Sequence, residues 1–415
     1  RGFFQTWFQR PLAHSPSAAG LRQALAEACR LRHAHPAQRE STVAAESRWP
    51  GCDKYLYFAF DPIFPPRLTP PPPPCVVNQT VGFLVLSFRV LIGARSGPGR
   101  EQPSGDCESN QMETENMMIT NEFGNTGIQI SPLGVGCTDH REVIGLLLDA
   151  DCNLVDTAQC YGPHEAFLGE HFYHRREEFF LQSKCGHHEV LPDGSMRSRE
   201  ISMADIDAAL QKLRTDHLDA MLLHSYDLDA LRRGDAIEVL LAAKAAGKIR
   251  FAGYSGDNER ALYAARHGAF DVVETSISIA DQAQIDTLLP MCREKGIGVV
   301  AKRPVANAAW RGFDGLEKEA DKASVYTRRL AAMELDLPAL GFSDDNAGWS
   351  EFALRFNLSL DGLHSSIIGT KNPGHARANL AAVEKGPLPP EVLERVRDAF
   401  RRAEAASGSA WPGVN

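Results

Sequence analysis

Residues 153–162 read NLVDTAQCYG, in which an apolar pair runs into Asp156 and Tyr161 follows five residues later. A short apolar run without alternation is typical of a parallel β-strand whose outer face is covered by helices. Polar residues directly after such a run belong to the loop at the carboxyl end of the strand. The stretch therefore predicts a strand that ends at Asp156 and a loop that presents Tyr161.

From Asn121 onward, apolar strands and amphipathic helices alternate. SMADIDAALQKL has Ser202 and Asp205 in the spacing of a capping box, and DAIEVLLAAKAAG stops at Gly247, a typical helix C-terminus. About eight strands, each followed by a helix, favour an α/β fold of the (β/α)8 TIM-barrel type over an open doubly wound sheet. We place this barrel, with a closing C-terminal helix, at residues 119–407. No GxGxxG follows a strand, so a Rossmann nucleotide site is not indicated.

Residues 1–115 have a different character. They contain the proline run TPPPPPC at 69–75 and no sustained helical or strand period, which predicts a low-complexity, poorly ordered N-terminal extension. The apolar stretch at 76–94 is interrupted by Arg89, and its apolar core is shorter than the ~20 residues that a spanning helix needs. A weak anchor there is an open alternative, but we expect no membrane association.

Composition argues against several functions. The formal net charge of −9 argues against a nucleic-acid-binding surface. The nine cysteines include no CxxC pair, so neither a zinc knuckle nor a thioredoxin-like site is indicated, and we expect reduced thiols in a cytoplasmic protein. His187 and His188 are adjacent in CGHHEV, but adjacent histidines seldom converge on one ion without further ligands. We therefore predict no metal site.

The carboxyl ends of the predicted strands carry polar residues, and in a TIM barrel these ends line the active site. In chain order the positions hold Asp156, Lys184, His224, Ser255, Glu274, Lys302 and the run Gly369, Thr370 and Lys371. Charges that emerge beside buried strands need partners, because an unpaired buried charge is costly. We therefore expect Asp156 to pair with Lys184 and to hold its ammonium beside Tyr161.

This arrangement would suit proton donation. A phenol has an ordinary pKa of about 10 and is a poor acid at neutral pH unless its anion is stabilised. A neighbouring lysine favours the phenolate, so we expect Lys184 to lower the pKa of Tyr161. A neutral imidazole at His224 would donate a hydrogen bond to the same substrate oxygen. The site would then need only a source of hydride.

The segments that hold these residues resemble the aldo-keto reductases over residues ~121–385. The matching text is NTGIQISPLGVG, NLVDTAQCYGPHEAFLG, FFLQSK, DAMLLH, FAGYSGDN and IIGTKNPGHARANLAAV. The resemblance implies a (β/α)8 barrel that binds a nicotinamide dinucleotide, usually NADPH, without a Rossmann fold. It also implies a catalytic tetrad of Asp156, Tyr161, Lys184 and His224, with Tyr161 as the proton donor.

The resemblance extends to the cofactor. It implies that Ser255 holds the nicotinamide carboxamide and that Asn379 lies at the adenine side. Small residues and backbone N–H groups in GTKNPGHARANL precede a helix N-terminus, which suits an anion. Lys371, His375 and Arg377 cluster there, so a 2′-phosphate would be well received and NADPH is favoured over NADH.

Three positions depart from the family pattern, and the first βα unit looks short. Gly256 stands where many members have asparagine, and Glu274 stands where they commonly have glutamine. Lys302, in AKRPV, replaces the usual aromatic that stacks on the nicotinamide ring. The segment between GVG and NLVD is also brief, which indicates a trimmed or strained first βα unit.

The sequence thus predicts an NADPH-dependent oxidoreductase that reduces a small aldehyde or ketone to the alcohol. One alternative is a non-catalytic barrel of the same fold that binds the dinucleotide as a regulatory subunit. A second is a hydrolytic barrel that uses Asp156 and Glu274 as paired carboxylates, although Lys184 would then lack a role. The physiological substrate and the oligomeric state are left open.

Overall fold

The computed structural model describes residues 45–47, 56–58, 120–190, 196–312 and 322–414. The chain divides into two units, Arg1–Glu108 and Ser109–Asn415. In the first unit, Ala45–Ser47 pairs antiparallel with Leu56–Phe58. The rest of the predicted extension, with its proline run and the apolar stretch at 76–94, lies outside the described residues.

The second unit contains a closed barrel of eight parallel strands. The strands are β1 (Leu133–Val135), β2 (Leu154–Asp156), β3 (Phe180–Cys185), β4 (Leu218–His224), β5 (Ile249–Ser255), β6 (Val272–Ser276), β7 (Gly298–Lys302) and β8 (Ser365–Ile368). Neighbours in the sequence are neighbours in the barrel, and β8 closes the ring by pairing with β1. The (β/α)8 TIM-barrel prediction is confirmed.

Helices follow the strands and cover their outer face. They are α1 (Arg141–Asp149), α2 (His164–His171), α3 (Met203–Leu213), α4 (Leu228–Arg233), α5 (Asp235–Ala245), α6 (Asn258–His267), α7 (Leu288–Lys295), α8 (Lys322–Met333), α9 (Asn346–Leu358), α10 (Pro373–Glu384) and α11 (Pro390–Ser407). Short 3₁₀ helices span Tyr173–Glu178, Ala306–Arg311 and Pro338–Leu340, and a hairpin pairs His188–Val190 with Met196–Ser198. Within the described ranges, no helix has both the length and the apolar character needed to cross a bilayer.

The helix ends follow the local sequence signals. The backbone N–H of Ser202 donates to Asp205 Oδ2 at 2.8 Å, which forms the predicted capping box at the start of α3. After α5 the chain turns at Gly247, which has a φ of +72°. This left-handed conformation is the one that glycine adopts at helix ends at low cost. Both sequence-based predictions are confirmed.

The first βα unit is intact, so the expectation of a trimmed unit is wrong. Helix α1 has nine residues, and its side chains at Val143, Ile144, Leu147 and Leu148 are buried. The loop from β1 is short because the helix begins only a few residues after the strand ends. The segment between GVG and NLVD is brief because the connection from β1 to α1 is short, and not because a helix is missing.

Side chains along each strand point alternately into the barrel and out towards the helices, so the inward residues form layers. In β3, Phe180 belongs to an apolar cluster inside the barrel, while Leu181 packs in the core between strands and helices. Because side chains alternate between faces, Gln182 and Lys184 share the inward face with Phe180. The inward residues therefore change from apolar to charged towards the carboxyl ends of the strands, where the site lies.

A short hairpin closes the amino-terminal end of the barrel. Asn121–Glu122 pairs antiparallel with Gln129–Ile130, and Phe123 between them is completely buried. The Phe123 ring packs edge-to-face on Phe180 at 5.4 Å between centroids. The apolar interior is thus sealed below, which leaves the carboxyl-end mouth as the face where polar residues collect.

Candidate active site

Lys184 is the centre of the polar layer. Its Nζ donates to Asp156 Oδ1 at 2.5 Å and to Oδ2 at 2.6 Å, and a third hydrogen bond reaches the carbonyl oxygen of Thr157 at 3.1 Å. The Lys184 side chain has no exposed surface. The ion pair expected from the sequence is therefore present, and it is fully shielded from solvent.

A second carboxylate shares this ammonium. Glu274 Oε2 lies 3.5 Å from Lys184 Nζ, and Glu274 Oε1 accepts a hydrogen bond from the Ser255 hydroxyl at 2.9 Å. Gln182 Nε2 bridges the two acids, donating to Asp156 at 2.8 Å and to Glu274 at 2.7 Å. Sequence reasoning missed Gln182, although its position two residues before Lys184 on the same strand face was an available signal.

Two carboxylates around one ammonium perturb the protonation of the cluster. Burial and the neighbouring Glu274 raise the pKa of Asp156 to about 7, against the opposing effect of Lys184. Burial alone would lower the pKa of Lys184, but Asp156 and Glu274 outweigh it and hold the pKa well above its ordinary value. Lys184 is therefore held in its charged form by the two neighbouring carboxylates.

Tyr161 lies over this cation, on a loop fixed by backbone pairing. Gln159 N donates to the carbonyl oxygen of Lys184 at 3.0 Å, and Tyr161 N donates to that of Ala158 at 3.0 Å. The centroid of the Tyr161 ring is 5.0 Å from Lys184 Nζ. The loop after β2 therefore brings the phenol next to the ammonium, as the sequence predicted.

The net pKa of Tyr161 corrects the sequence-based expectation. Burial is the largest influence and raises the pKa of Tyr161 above its ordinary value, Lys184 lowers it, and Asp156 and Glu274 raise it further. The prediction of an unusually acidic phenol is wrong, because one ammonium does not offset desolvation and two carboxylates. The phenol is instead protonated at neutral pH, which is the state that a proton donor needs.

His224 ends β4 on the other side of Tyr161. The two rings meet edge-to-face with centroids 5.8 Å apart. Burial lowers the pKa of His224 well below its ordinary value, and Lys184 adds to the effect. The imidazole is therefore neutral, and one of its ring nitrogens carries a proton that it can donate to a substrate oxygen.

Lys302, at the end of β7, forms an ion pair. From the sequence, this residue is expected to replace an aromatic side chain at the cofactor. Lys302 Nζ lies 3.0 Å from Asp257 Oδ2, and both side chains are largely buried. Asp257 also accepts from the Thr275 hydroxyl at 2.9 Å and from Ser276 N at 2.7 Å. Burial lowers the pKa of Lys302 even though Asp257 opposes it. Sequence reasoning missed Asp257, which follows Ser255 by two residues.

The predicted phosphate-binding residues follow β8. Lys371 forms an ion pair with Asp139 at 2.7 Å, and the Thr138 hydroxyl donates to the carbonyl oxygen of Thr370 at 2.8 Å. His375 and Arg377 are exposed on the first turns of α10. The other two predicted residues, Gly369 and Asn379, are exposed and buried respectively. These residues follow the carboxyl end of β8, at the same end of the barrel as Lys184.

The C-terminal segment 411–414 lies against the loops that follow β5 to β7. Gly413 and Asn258 exchange two hydrogen bonds, at 2.7 and 2.8 Å, and Val414 N donates to Asp281 Oδ2 at 3.0 Å. The carbonyl oxygen of Val414 accepts from Arg303. This closing contact was not predicted, because more than a hundred residues separate the segment from its partners in the chain.

Known proteins share this arrangement of strands and motifs. The profile described as the aldo/keto reductase family matches residues 123–401. The chain belongs to the aldo/keto reductase family. An L-galactose dehydrogenase of Arabidopsis thaliana is 24% identical over 326 residues, which cover 70% of this chain and 96% of that protein. An NADH-specific methylglyoxal reductase of Escherichia coli is 25% identical over 315 residues, which cover 63% of this chain and 92% of that protein.

Solved aldo-keto reductase structures support the fold. The holo form of a Bacillus halodurans enzyme has a TM-score of 0.56 at 22% identity, and the match covers 68% of this chain and 96% of that one. A Klebsiella pneumoniae aldo/keto reductase in complex with NADP and acetate has a TM-score of 0.51 at 21% identity, covering 68% and 95%. At this level of identity the likeness concerns the fold.

Two elements of the aldo/keto reductase sequence pattern position the Tyr161 loop. His164 is buried, and its ring nitrogens contact the Thr157 hydroxyl at 2.8 Å and the carbonyl oxygen of Thr138 at 2.9 Å. Glu165 is also buried and accepts from the Ser183 hydroxyl at 2.7 Å. The HE pair after Tyr161 thus ties the loop to β1 and β3.

Gly256, which stands where many family members have asparagine, has no room for a larger side chain. A Cβ added at Gly256 would lie 2.4 Å from the Tyr254 hydroxyl oxygen. Tyr254 is completely buried and donates to the carbonyl oxygen of Tyr226 at 3.1 Å, so it has little room to move. An asparagine at Gly256 would therefore require the β5 end to be rebuilt.

Proposed function

We propose that this aldo/keto reductase uses NADPH to reduce an aldehyde or ketone to the corresponding alcohol, with Tyr161 as the proton donor. The observation that carries the proposal is the position of the Tyr161 ring, whose centroid lies 5.0 Å from Nζ of the fully buried Lys184. A hydrolytic site built on Asp156 and Glu274 is disfavoured, because both acids are committed to the same ammonium and amide.

The side chains would divide the work as follows. The Tyr161 hydroxyl donates its proton to the carbonyl oxygen as that oxygen gains negative charge. The phenolate that remains is stabilised by the ammonium of Lys184, which Asp156 and Glu274 keep protonated. Neutral His224 donates a hydrogen bond to the same oxygen and orients the carbonyl group. A bound nicotinamide dinucleotide would supply the hydride that adds to the carbonyl carbon.

The residues present fit the phosphate end of such a cofactor. A Cβ at Gly369 would lie 3.0 Å from the carbonyl oxygen of Cys137, so glycine keeps the backbone open at the end of β8. Helix α10 begins four residues later, and its N-terminal N–H groups with Lys371, His375 and Arg377 favour an anion. We propose that these residues hold the phosphates, with Asn379 at the adenine side.

At the nicotinamide end the fit rests on polar contacts. Ser255 and Glu274 are joined by a hydrogen bond at the centre of the mouth and would face the carboxamide. Lys302, engaged with Asp257, would border the ring in place of an aromatic side chain. We assign NADPH because Lys371 and Arg377 place two cations beside the helix N-terminus. The Klebsiella pneumoniae structure was solved with NADP, whereas the Escherichia coli relative is named NADH-specific.

A binding and turnover experiment tests the proposal. Purified protein is titrated with NADPH and with NADH, and consumption of each is then followed with a panel of small aldehydes and ketones. We expect tighter binding of NADPH and steady oxidation with at least one carbonyl in the panel. Tight binding without turnover on any carbonyl would favour the regulatory-subunit alternative, and binding of neither dinucleotide would overturn both.

A further inference from the structure

Three metal-ligating side chains meet beside the proposed active site. Cys160, His187 and His224 each offer one ligand atom, and these atoms all lie within 4.8 Å of one another. Cys160 Sγ is 3.4 Å from His224 Nδ1, and the rings of His187 and His224 meet with centroids 4.7 Å apart. The three residues come from separate elements: the loop after β2, the loop after β3 and the end of β4.

These distances are close to those of a zinc site. With Zn–S of about 2.3 Å and Zn–N of about 2.0 Å, tetrahedral geometry places a sulfur and a nitrogen about 3.5 Å apart. The distance of 3.4 Å between Cys160 Sγ and His224 Nδ1 is close to this value. Separations of up to 4.8 Å among the three ligand atoms would shorten by up to about 1.5 Å. Cys160 is exposed and His187 half-buried, so an ion can reach the site from solvent.

The sequence led us to expect no metal site, but from this geometry we propose that Cys160, His187 and His224 form a site for a thiophilic divalent ion such as Zn²⁺, with the fourth position open to water. One thiolate and two imidazoles are the donor set that Zn²⁺ prefers, and the open position is typical of a non-structural zinc site. Binding is accompanied by loss of the thiol proton of Cys160. His188 is not one of the residues whose ligand atoms converge, and its Nε2 contacts Asp227 at 3.0 Å.

The ion inhibits the reductase; this second part of the proposal rests on the proposed function. Cys160 directly precedes Tyr161, and His224 would orient the substrate. Drawing the thiolate and the imidazole onto one ion moves both groups, and a misplacement of about 1 Å can cost on the order of 10²-fold in rate. Metal binding and carbonyl reduction therefore compete for the same side chains.

Metal binding is tested without a reductase assay. Co²⁺ replaces Zn²⁺ as a spectroscopic probe, since a cobalt–thiolate bond gives a charge-transfer band and tetrahedral Co²⁺ gives an intense visible band. We expect one ion per chain with both bands in the wild type. Cys160→Ser should lose the thiolate band, and His187→Gln should weaken binding by more than the roughly 10- to 100-fold that changing a residue behind a ligand costs. His188→Gln, the matched control, should bind like the wild type.

The chain has nine cysteines and 14 histidines, so the difference between variants decides the outcome. If Cys160→Ser and His187→Gln keep the wild-type bands and affinity, the ion binds elsewhere and the site is rejected. Absence of a thiolate band in the wild type also rejects it. Circular dichroism of each variant checks the fold, and the exposed position of Cys160 makes its serine variant a mild change.

Inhibition is then measured separately. We expect Zn²⁺ to inhibit the wild type, a chelator to restore its activity, and Cys160→Ser to be insensitive to Zn²⁺. Equal inhibition of both proteins, or a rate that rises with Zn²⁺, would overturn the inhibitory role. Tyr161→Phe should bind Co²⁺ normally whatever its activity, so failure of the proposed function leaves the metal result interpretable.

Discussion

The two sides of the barrel mouth are built on different principles. The proposed proton-transfer side, formed by Asp156, Tyr161, Lys184 and His224, is held by buried charges that satisfy one another, and Lys184 has no exposed surface. On the proposed dinucleotide side, the ion pair of Lys371 with Asp139 has side chains 73% and 61% exposed. The first side is therefore preorganised by its own electrostatics, whereas the second is open to rearrangement by a ligand.

The comparison also shows where the two sides join. Glu274 reaches Lys184 with one oxygen and accepts from Ser255 with the other. Glu274, one of the three residues that depart from the family pattern, thus links the proposed proton-transfer residues to the proposed carboxamide contact. A glutamine there would remove the second negative charge and leave one accepting oxygen instead of two, so the bond with Ser255 would reverse if the oxygen kept accepting from Gln182.

Removal of the central ammonium should have the largest effect. Lys184→Met leaves Asp156 and Glu274 buried without a counter-charge, and breaking a buried pair in this way costs about 3–5 kcal/mol. We expect that loss in the free energy of unfolding, measured with denaturant, together with a fall in activity of at least ~10²-fold. Lys385→Met, which removes a 54% exposed lysine paired with Glu351, should cost no more than about 1 kcal/mol.

Lys302→Met tests whether buried charge matters equally at the end of β7. A loss of stability as large as that of Lys184→Met would remove the contrast between the two sides. Asp257 would keep its hydrogen bonds from Thr275 and Ser276, whereas in Lys184→Met two carboxylates lose the same ammonium. We therefore expect a smaller loss of stability than for Lys184→Met, by denaturant unfolding under identical conditions. An equal or larger loss would show that the two sides depend on buried charge to the same degree.

The pH dependence of stability and activity in Glu274→Gln tests whether the two carboxylates share the charge of Lys184. The folded pKa of Asp156 is raised to about 7 by burial and by Glu274. A raised pKa stabilises the fold below the unfolded value of about 4, and this contribution is lost as pH rises towards 7. We expect wild-type stability to fall across that window, by up to about 1.4 kcal/mol per pH unit for one proton.

Without the second carboxylate, Asp156 should titrate at lower pH. Glu274→Gln should therefore flatten the decline in stability and move any inflection near pH 7 in the activity profile to lower pH. Glu259→Gln, on the exposed face of α6, serves as the control and should leave both profiles unchanged. Profiles of Glu274→Gln that coincide with those of the wild type would contradict the shared-charge description.

The smallest effects are expected at the exposed phosphate end. Lys371→Ala should weaken NADPH binding several-fold and NADH binding less, because an exposed cation contributes only about 0–1 kcal/mol. Asp139→Asn removes the competing carboxylate and should strengthen NADPH binding by a similar factor. Titration of each variant with both dinucleotides gives the answer, and equal effects on NADPH and NADH would remove Lys371 from 2′-phosphate recognition.

The sequence was most informative where burial leaves few choices. Apolar runs identified the strands, and the charges at the ends of β2 and β3 predicted the ion pair of Asp156 with Lys184. The raised pKa of Tyr161 could not be predicted, because it depends on how completely the folded barrel excludes water from the phenol. The role of Gln182 was accessible from its spacing to Lys184 but required knowing that Glu274 lies opposite.

Contacts between distant segments were beyond sequence reasoning. Asp257 meets Lys302 only when the ends of β5 and β7 converge, and Val414 contacts Arg303 across 111 residues of chain. Cys160 and His224 likewise share no sequence signal, since 64 residues separate them. In each case the missing information is the curvature of the closed sheet, which local patterns do not contain.

The most direct test of the proton-donor assignment is Tyr161→Phe. The single-turnover rate of carbonyl reduction is measured with saturating NADPH, alongside the NADPH dissociation constant and the unfolding midpoint. We predict a fall in rate of about 10²–10⁴-fold, as expected for loss of a general acid, with cofactor affinity and stability close to the wild type. A rate near that of the wild type would contradict the account.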